Sequence, residues 1–142
     1  MKSTPRCKAA IQYAVKTCAS LGHSNISSAH LVLGLLSLSG GVGSNVLRSS
    51  GLSVESLQKY LAFRQLPAEE TIERDGVIFG RSANEALSRA EEEAAKFNHT
   101  FLGVEHLALS LLSEQSGPAR DLFASLQVDR DKMRQTIVQE IS

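Results

Sequence analysis

The chain has 142 residues, 42% hydrophobic and 21% charged, with 15 basic side chains against 15 acidic ones. That length suits one compact domain with a substantial core, and the balanced charge speaks against nucleic-acid binding, which draws on a basic excess. No apolar run approaches the roughly 18 residues of a membrane span, and the opening Met1-Lys2-Ser3-Thr4-Pro5-Arg6 lacks the apolar core of a secretory signal.

A first helix is expected from Pro5 to Leu21. Thr4 suits its N-cap, and Pro5 suits the first helical position, where its missing N–H would be unpaired in any case. Ala10, Ile11, Ala14, Val15, Cys18 and Leu21 recur at helical spacing as one apolar stripe, rich in small side chains, so a partner helix can approach closely. Gly22 ends the helix. Cys7 and Cys18 lie eleven positions apart on it, roughly 16 Å along the axis and far beyond disulfide reach. Unbridged cysteines point to a reducing compartment, and the expected location is cytoplasmic.

A second helix, from Ser28 to Leu38 with Ser27 as cap, is apolar almost all round and should be central and buried. Gly40, Gly41 and Gly43 make a loop; a short third helix follows from Ser44 to Ser50 and ends at Gly51. The fourth begins after Ser53, with Leu52 and Leu57 placed as a hydrophobic staple. Pro67–Phe79 is polar and holds a turn signal at Asp75-Gly76, so it reads as a linker. Four further helices are expected over Ser82–Phe97, Val104–Glu114, Pro118–Leu126 and Arg130–Ile141. No stretch shows sustained period-two alternation, and Val77-Ile78-Phe79 is too short to count as a strand, so the fold class is all-α.

The chain carries one pattern twice. Ile26-Ser27-Ser28-Ala29-His30-Leu31-Val32-Leu33-Gly34-Leu35-Leu36 returns as Leu102-Gly103-Val104-Glu105-His106-Leu107-Ala108-Leu109-Ser110-Leu111-Leu112, at an offset of 76 residues. The offset holds from about Lys8 to Ala62, pairing Ala10 with Ala86, His23 with His99, and the staple Leu52/Leu57 with Val128/Met133. Two units are too few for a solenoid. The expected architecture is one domain over 1–142: a first four-helix repeat at 3–66, a linker at 67–78, and a second four-helix repeat at 79–142, related by a pseudo-twofold axis. His30, Leu33, Leu36, His106, Leu109 and Leu112 are expected to be buried.

The chemistry-bearing residues are few. His23, His30, His99 and His106 have no cysteine or carboxylate at a familiar ligand spacing, and HExxH is absent. There is no GxSxG elbow and no Walker GxxxxGK[ST] pattern. Cys7 and Cys18 have no evident activating base. A helix-turn-helix reader would need a polar, basic recognition helix, and the candidates are the most apolar in the chain. A small metal- or thiol-dependent enzyme using those histidines or cysteines is the alternative to a binding module. No catalytic set and no cofactor is expected.

The two repeated stretches resemble the helix that marks the Clp N-terminal repeat, G-x-x-x-[IV]-[GS]-[TS]-E-H-[LI]-L-L-[GA]-L-L. Ser3-Thr4-Pro5-Arg6-Cys7-Lys8 resembles the repeat's F-T-P-R-A-K opening, with Phe79-Gly80-Arg81-Ser82-Ala83 as a weaker second copy. Gly51-Leu52-Ser53 resembles the entry to a repeat's last helix. The resemblance implies eight helices and a non-catalytic module that recruits substrates or adaptor proteins to a Clp-type AAA+ unfoldase. It implies protein partners, including Clp ATPase or protease subunits, with neither nucleic acid nor membrane. It places protein or peptide binding at Thr4, Arg6, Ser28, Arg81 and Glu105, on helix ends expected to come together. In some relatives such sites bind phosphorylated arginine through the acidic residue of T-E-H and the opening Thr. Here the first repeat has Thr4 but Ala29, and the second has Glu105 but Gly80, so neither repeat holds both. A guanidinium needs a carboxylate for charge-assisted pairing, so phosphoarginine recognition is not expected, least of all in the first repeat.

Overall fold

A computed structural model describes residues 1–141. Among them lie eight helices: α1 (Pro5–Ser20), α2 (Ser28–Leu36), α3 (Val42–Ser49), α4 (Val54–Ala62), α5 (Arg81–Lys96), α6 (Val104–Leu112), α7 (Pro118–Ser125) and α8 (Arg130–Ile141). Four short strands join them: β1 (Lys2–Ser3), β2 (Thr71–Arg74), β3 (Val77–Gly80) and β4 (Phe101–Leu102). The architecture is helical, as the periodicity predicts.

The helices start where local chemistry satisfies their free amides. Thr4 Oγ1 accepts from the Cys7 amide at 3.1 Å, with Pro5 behind it. Ser53 Oγ accepts from the Ser56 amide at 3.0 Å, and Asp129 Oδ1 from the Lys132 amide at 3.1 Å. Leu57 and Met133, the inner members of the two staples, are buried. At the other ends, Arg48 donates to the carbonyls of Leu36 and Leu38, and Arg130 to the equivalent carbonyls of Leu112 and Glu114, answering acceptors at and just past the ends of α2 and α6.

The core is built on α2 and α6. Every residue of α2 is buried, and every residue of α6 except Glu105. All six residues expected inside, His30 and His106 among them, are buried. The stripe of small residues on α1 lets α2 lie against its backbone: a Cβ on Gly34 would run into the Ala10 carbonyl oxygen and sit 2.9 Å from its carbon. In the second repeat the equivalent residue is Ser110, whose hydroxyl donates to the Ala86 carbonyl at 2.6 Å. One crossing is closed by the absence of a side chain and the other by a hydrogen bond.

The 67–79 stretch, expected as a linker without a strand, holds a hairpin. Thr71–Arg74 pairs antiparallel with Val77–Gly80, in the register Arg74 opposite Val77. Asp75 and Gly76, at φ 51° and 82°, form the two-residue turn, a conformation that favours hairpin closure. Arg74 fixes the hairpin onto α5 by donating to Asn84, Ser88 and Glu91. The second departure is a parallel pair, Lys2–Ser3 with Phe101–Leu102.

Candidate functional site

The pseudo-twofold relation is reciprocal. The Thr4 amide donates to the Leu102 carbonyl at 2.9 Å, and the Gly80 amide donates to the Ile26 carbonyl, also at 2.9 Å. Residues 4 and 80 are 76 apart, and so are 26 and 102. Each repeat therefore lays the start of its first helix against the start of the other repeat's second helix. Two corners result, and each is assembled from both repeats.

The first corner joins α1 to α6. It holds Thr4 at the cap, Arg6 in the first turn of α1, and Glu105 in the first turn of α6. Thr4 and Glu105 are partly exposed and Arg6 is exposed. The Arg6 guanidinium donates to the carbonyls of Ser39 and Gly40, at 3.1 and 2.8 Å, and ties the α2–α3 loop to this corner. Behind it, burial pushes the Cys7 thiol up to about 11; a hydrogen bond with Ser3 opposes the shift, and the charge of Glu105 adds to it. That thiol is poorly ionised at neutral pH, so iodoacetamide is expected to leave Cys7 of the native protein unmodified at pH 7.5. Mass spectrometry of the labelled chain checks this.

The expectation that neither repeat carries both binding residues counts them along the chain. The fold counts them across it: Thr4 of the first repeat and Glu105 of the second meet in the same corner. Those helix ends were expected to come together from the family resemblance; which start lies against which depends on the tertiary fold and had no signal in the residues themselves.

The second corner joins α5 to α2 and is built differently. Arg81 is exposed and paired with Glu85 at 2.7 Å. Ser28 is fully buried. Its amide donates to Ser82 Oγ at 3.0 Å, and its hydroxyl accepts from the Ala119 amide at 3.0 Å. Ser28 thus pins α2, α5 and α7 together and does not face solvent. The same hydroxyl meets Glu114, a buried carboxyl pushed up mainly by burial, against the pull of Ser28, the Arg120 amide and Arg89. Ala29, the counterpart of Glu105, is also fully buried. Of the five residues singled out in the sequence, the first corner gathers Thr4, Arg6 and Glu105; Arg81 and Ser28 belong to the second.

The four histidines form two internal pairs. His23 Nδ1 lies 2.8 Å from His30 Nε2, and His99 Nδ1 lies 2.8 Å from His106 Nε2. The other ring nitrogen is committed too: His30 Nδ1 accepts from the Ser27 amide at 2.8 Å, and His106 Nδ1 from the Gly103 amide at 2.9 Å. A nitrogen that accepts from an amide carries no proton, so neutral His30 and His106 hold theirs on Nε2 and donate it to the partner ring. These histidines act as reverse caps of α2 and α6. Among the described residues, no three His, Cys, Asp or Glu side chains converge as metal ligands would, and no helix is long and apolar enough to cross a membrane.

Comparison with known proteins agrees with this architecture. The family described as the Clp repeat N-terminal domain matches residues 2–75 and again 78–142. The probable ATP-dependent Clp protease ATP-binding subunit of Chlamydia pneumoniae is 31% identical over 141 residues, 99% of this chain and 17% of that protein. The negative regulator of genetic competence ClpC/MecB of Bacillus subtilis is 30% identical over 139 residues, 96% of this chain and 16% of that one. The chain thus spans about a sixth of these relatives. Among solved structures, the N-terminal domain of the chaperone ClpD from Arabidopsis thaliana superposes with a TM-score of 0.81 at 18% identity, covering 99% of this chain and 94% of that one. The Hsp104 N-terminal domain from Candida albicans superposes at 0.74 and 13% identity, covering 97% and 90%. With both halves matched, the chain belongs to the Clp repeat N-terminal domain family.

Proposed function

We propose that this chain is a non-catalytic protein-binding module that receives substrates or adaptor proteins for a Clp-type AAA+ unfoldase, and that it docks them at the first corner. The observation that carries the reading is the crossed assembly of that corner: the Thr4 amide donates to the Leu102 carbonyl and so lays the start of α1, with Thr4 and Arg6, against the start of α6, with the partly exposed Glu105. A basic side chain is the ligand such a carboxylate favours. Because Thr4 and Glu105 share the corner, phosphoarginine is the second ligand to test: its guanidinium suits Glu105, and its phosphoryl group suits the Thr4 hydroxyl and the helix start.

The alternative of a small metal- or thiol-dependent enzyme finds little support in these side chains. The Cys7 thiol is held far from ionisation, and both nitrogens of His30 and of His106 are spent on structure.

The test is titration of a peptide carrying arginine, and the same peptide carrying phosphoarginine, against the native domain and Glu105→Ala. Loss of one charge-assisted contact is expected to weaken binding by about 1 kcal/mol or more, roughly fivefold to tenfold. Unchanged affinity for both peptides, with the fold intact, would move the docking site elsewhere. The reciprocal variant Ala29→Glu does not create a second acidic corner, since residue 29 is fully buried and a carboxylate there would lack water.

A further inference from the structure

The second corner is closed by the chain itself. Gly80 stands where the first repeat has Thr4, so α5 has no side-chain cap of its own. Glu69, from the stretch between α4 and β2, takes that place. Its carboxylate accepts from the Ser82 amide at 2.6 Å and from the Ser82 hydroxyl at 3.0 Å. Its own amide donates to Asn25 Oδ1 at 2.8 Å, which anchors the strand of chain to the loop before α2. Gly80 makes room for it: a Cβ there would come 2.8 Å from the Ile26 carbonyl and 3.1 Å from a Glu69 carboxylate oxygen. Ser82 in turn accepts from the Ser28 amide, so the contact runs from Glu69 through α5 to the start of α2. At the first corner α1 is capped instead by its own Thr4 hydroxyl.

We propose that Glu69 is a built-in occupant of the second corner, a strap contact that shuts this corner to outside ligands and leaves the domain one open corner. The proposal rests on the first corner being the docking site and has docking be single rather than double. Three changes act together: Gly80 removes a cap and its bulk, Ala29 removes the acidic side chain, and Glu69 supplies an internal anion to the donors left behind.

The test uses the isotope-labelled domain and inorganic phosphate as the probe, followed at the Ser82 and Ser28 amide resonances. In the native chain these resonances are expected to stay in place. In Glu69→Ala they should shift saturably, with phosphate bound about tenfold or more tightly than by the native corner. Glu69→Gln keeps the length and removes the charge; it should move in the same direction and serves if the alanine variant unfolds. Cys7 and His30 amide resonances at their native positions report an intact fold. An equal phosphate response in the native chain would mean that Glu69 does not occupy the corner in solution and would overturn the proposal. So would an unresponsive Ser82 in a folded variant. The readout lies in the second corner alone, so its outcome is separate from that of the Glu105 titration.

Discussion

Between pH 6.5 and about 4 the domain should lose on the order of 3 kcal/mol of stability through His30 alone. Burial, aided by the neighbouring His23, pushes the His30 imidazole from 6.5 down to about 4. The folded state therefore binds fewer protons than the unfolded chain, so the contribution is complete above 6.5 and drains away as pH falls through the lower value. The atomic reason is that a proton on Nδ1 would collide with the Ser27 amide proton that this nitrogen now accepts. His106 is shifted down as well, mainly by burial, and adds in the same direction. Glu114 works with the opposite sign: its carboxyl is pushed up, so protonation favours the fold. Urea unfolding at stepped pH values measures the sum. The specific check is His30→Gln, which removes the titration. Its stability should be lower at pH 7 and markedly flatter through this acid range; an acid slope equal to that of the native chain would assign the loss to other groups.

Gly34→Ala should be strongly destabilising, for a Cβ there meets backbone more closely than at any other glycine. The added carbon has no free volume, since the Ala10 carbonyl already fills its position. The obstacle is backbone on a packed helix, not the movable end of a side chain. α1 and α2 must separate, which disturbs Ala14 and Cys18 along the same stripe, both buried. A loss of about 3 kcal/mol is expected, at the upper end of overpacking effects. The matched control is Ser110→Ala, at the same place in the other repeat, where the missing hydroxyl leaves the buried Ala86 carbonyl one bond short and costs about 1 kcal/mol. Denaturant midpoints of the two variants compare them directly. Equal effects would mean that the two crossings are equally tight.

Helix positions, caps and staples were legible because each depends on residues within a few places of one another. Thr4 before Pro5, Ser53 before Val54 and Asp129 before Arg130 are local signals, and the structure uses all three. The burial of α2 and α6 was legible from composition. The β2–β3 hairpin was not, although Asp75-Gly76 is a strong two-residue turn signal; the flanks Thr71–Arg74 and Val77–Gly80 alternate too weakly in polarity to mark strands. The histidines were readable as core residues. Their bonding to amides was not, because it required knowing that His23 and His99 reach across from the preceding loops. Glu69 lay in a polar run and looked like any solvated carboxylate, and its role depends on Gly80, eleven positions away, and on Asn25 in the first repeat.

The exchange of hydrogen bonds between Thr4 and Leu102 and between Gly80 and Ile26 has a consequence for how such a domain can diversify. Two identical half-length chains associating about an exact axis would rebuild the same pair of corners, and every substitution would then strike both at once. Joined in one chain, the copies are independent. One can keep threonine where its sister takes glycine, and one can keep an acid where the other takes alanine, without changing the helices that bear them. The stretch between the two copies brings the Glu69 carboxylate to one corner, and that carboxylate distinguishes the halves. A single chain with a pseudo-twofold axis can thus have a front and a back.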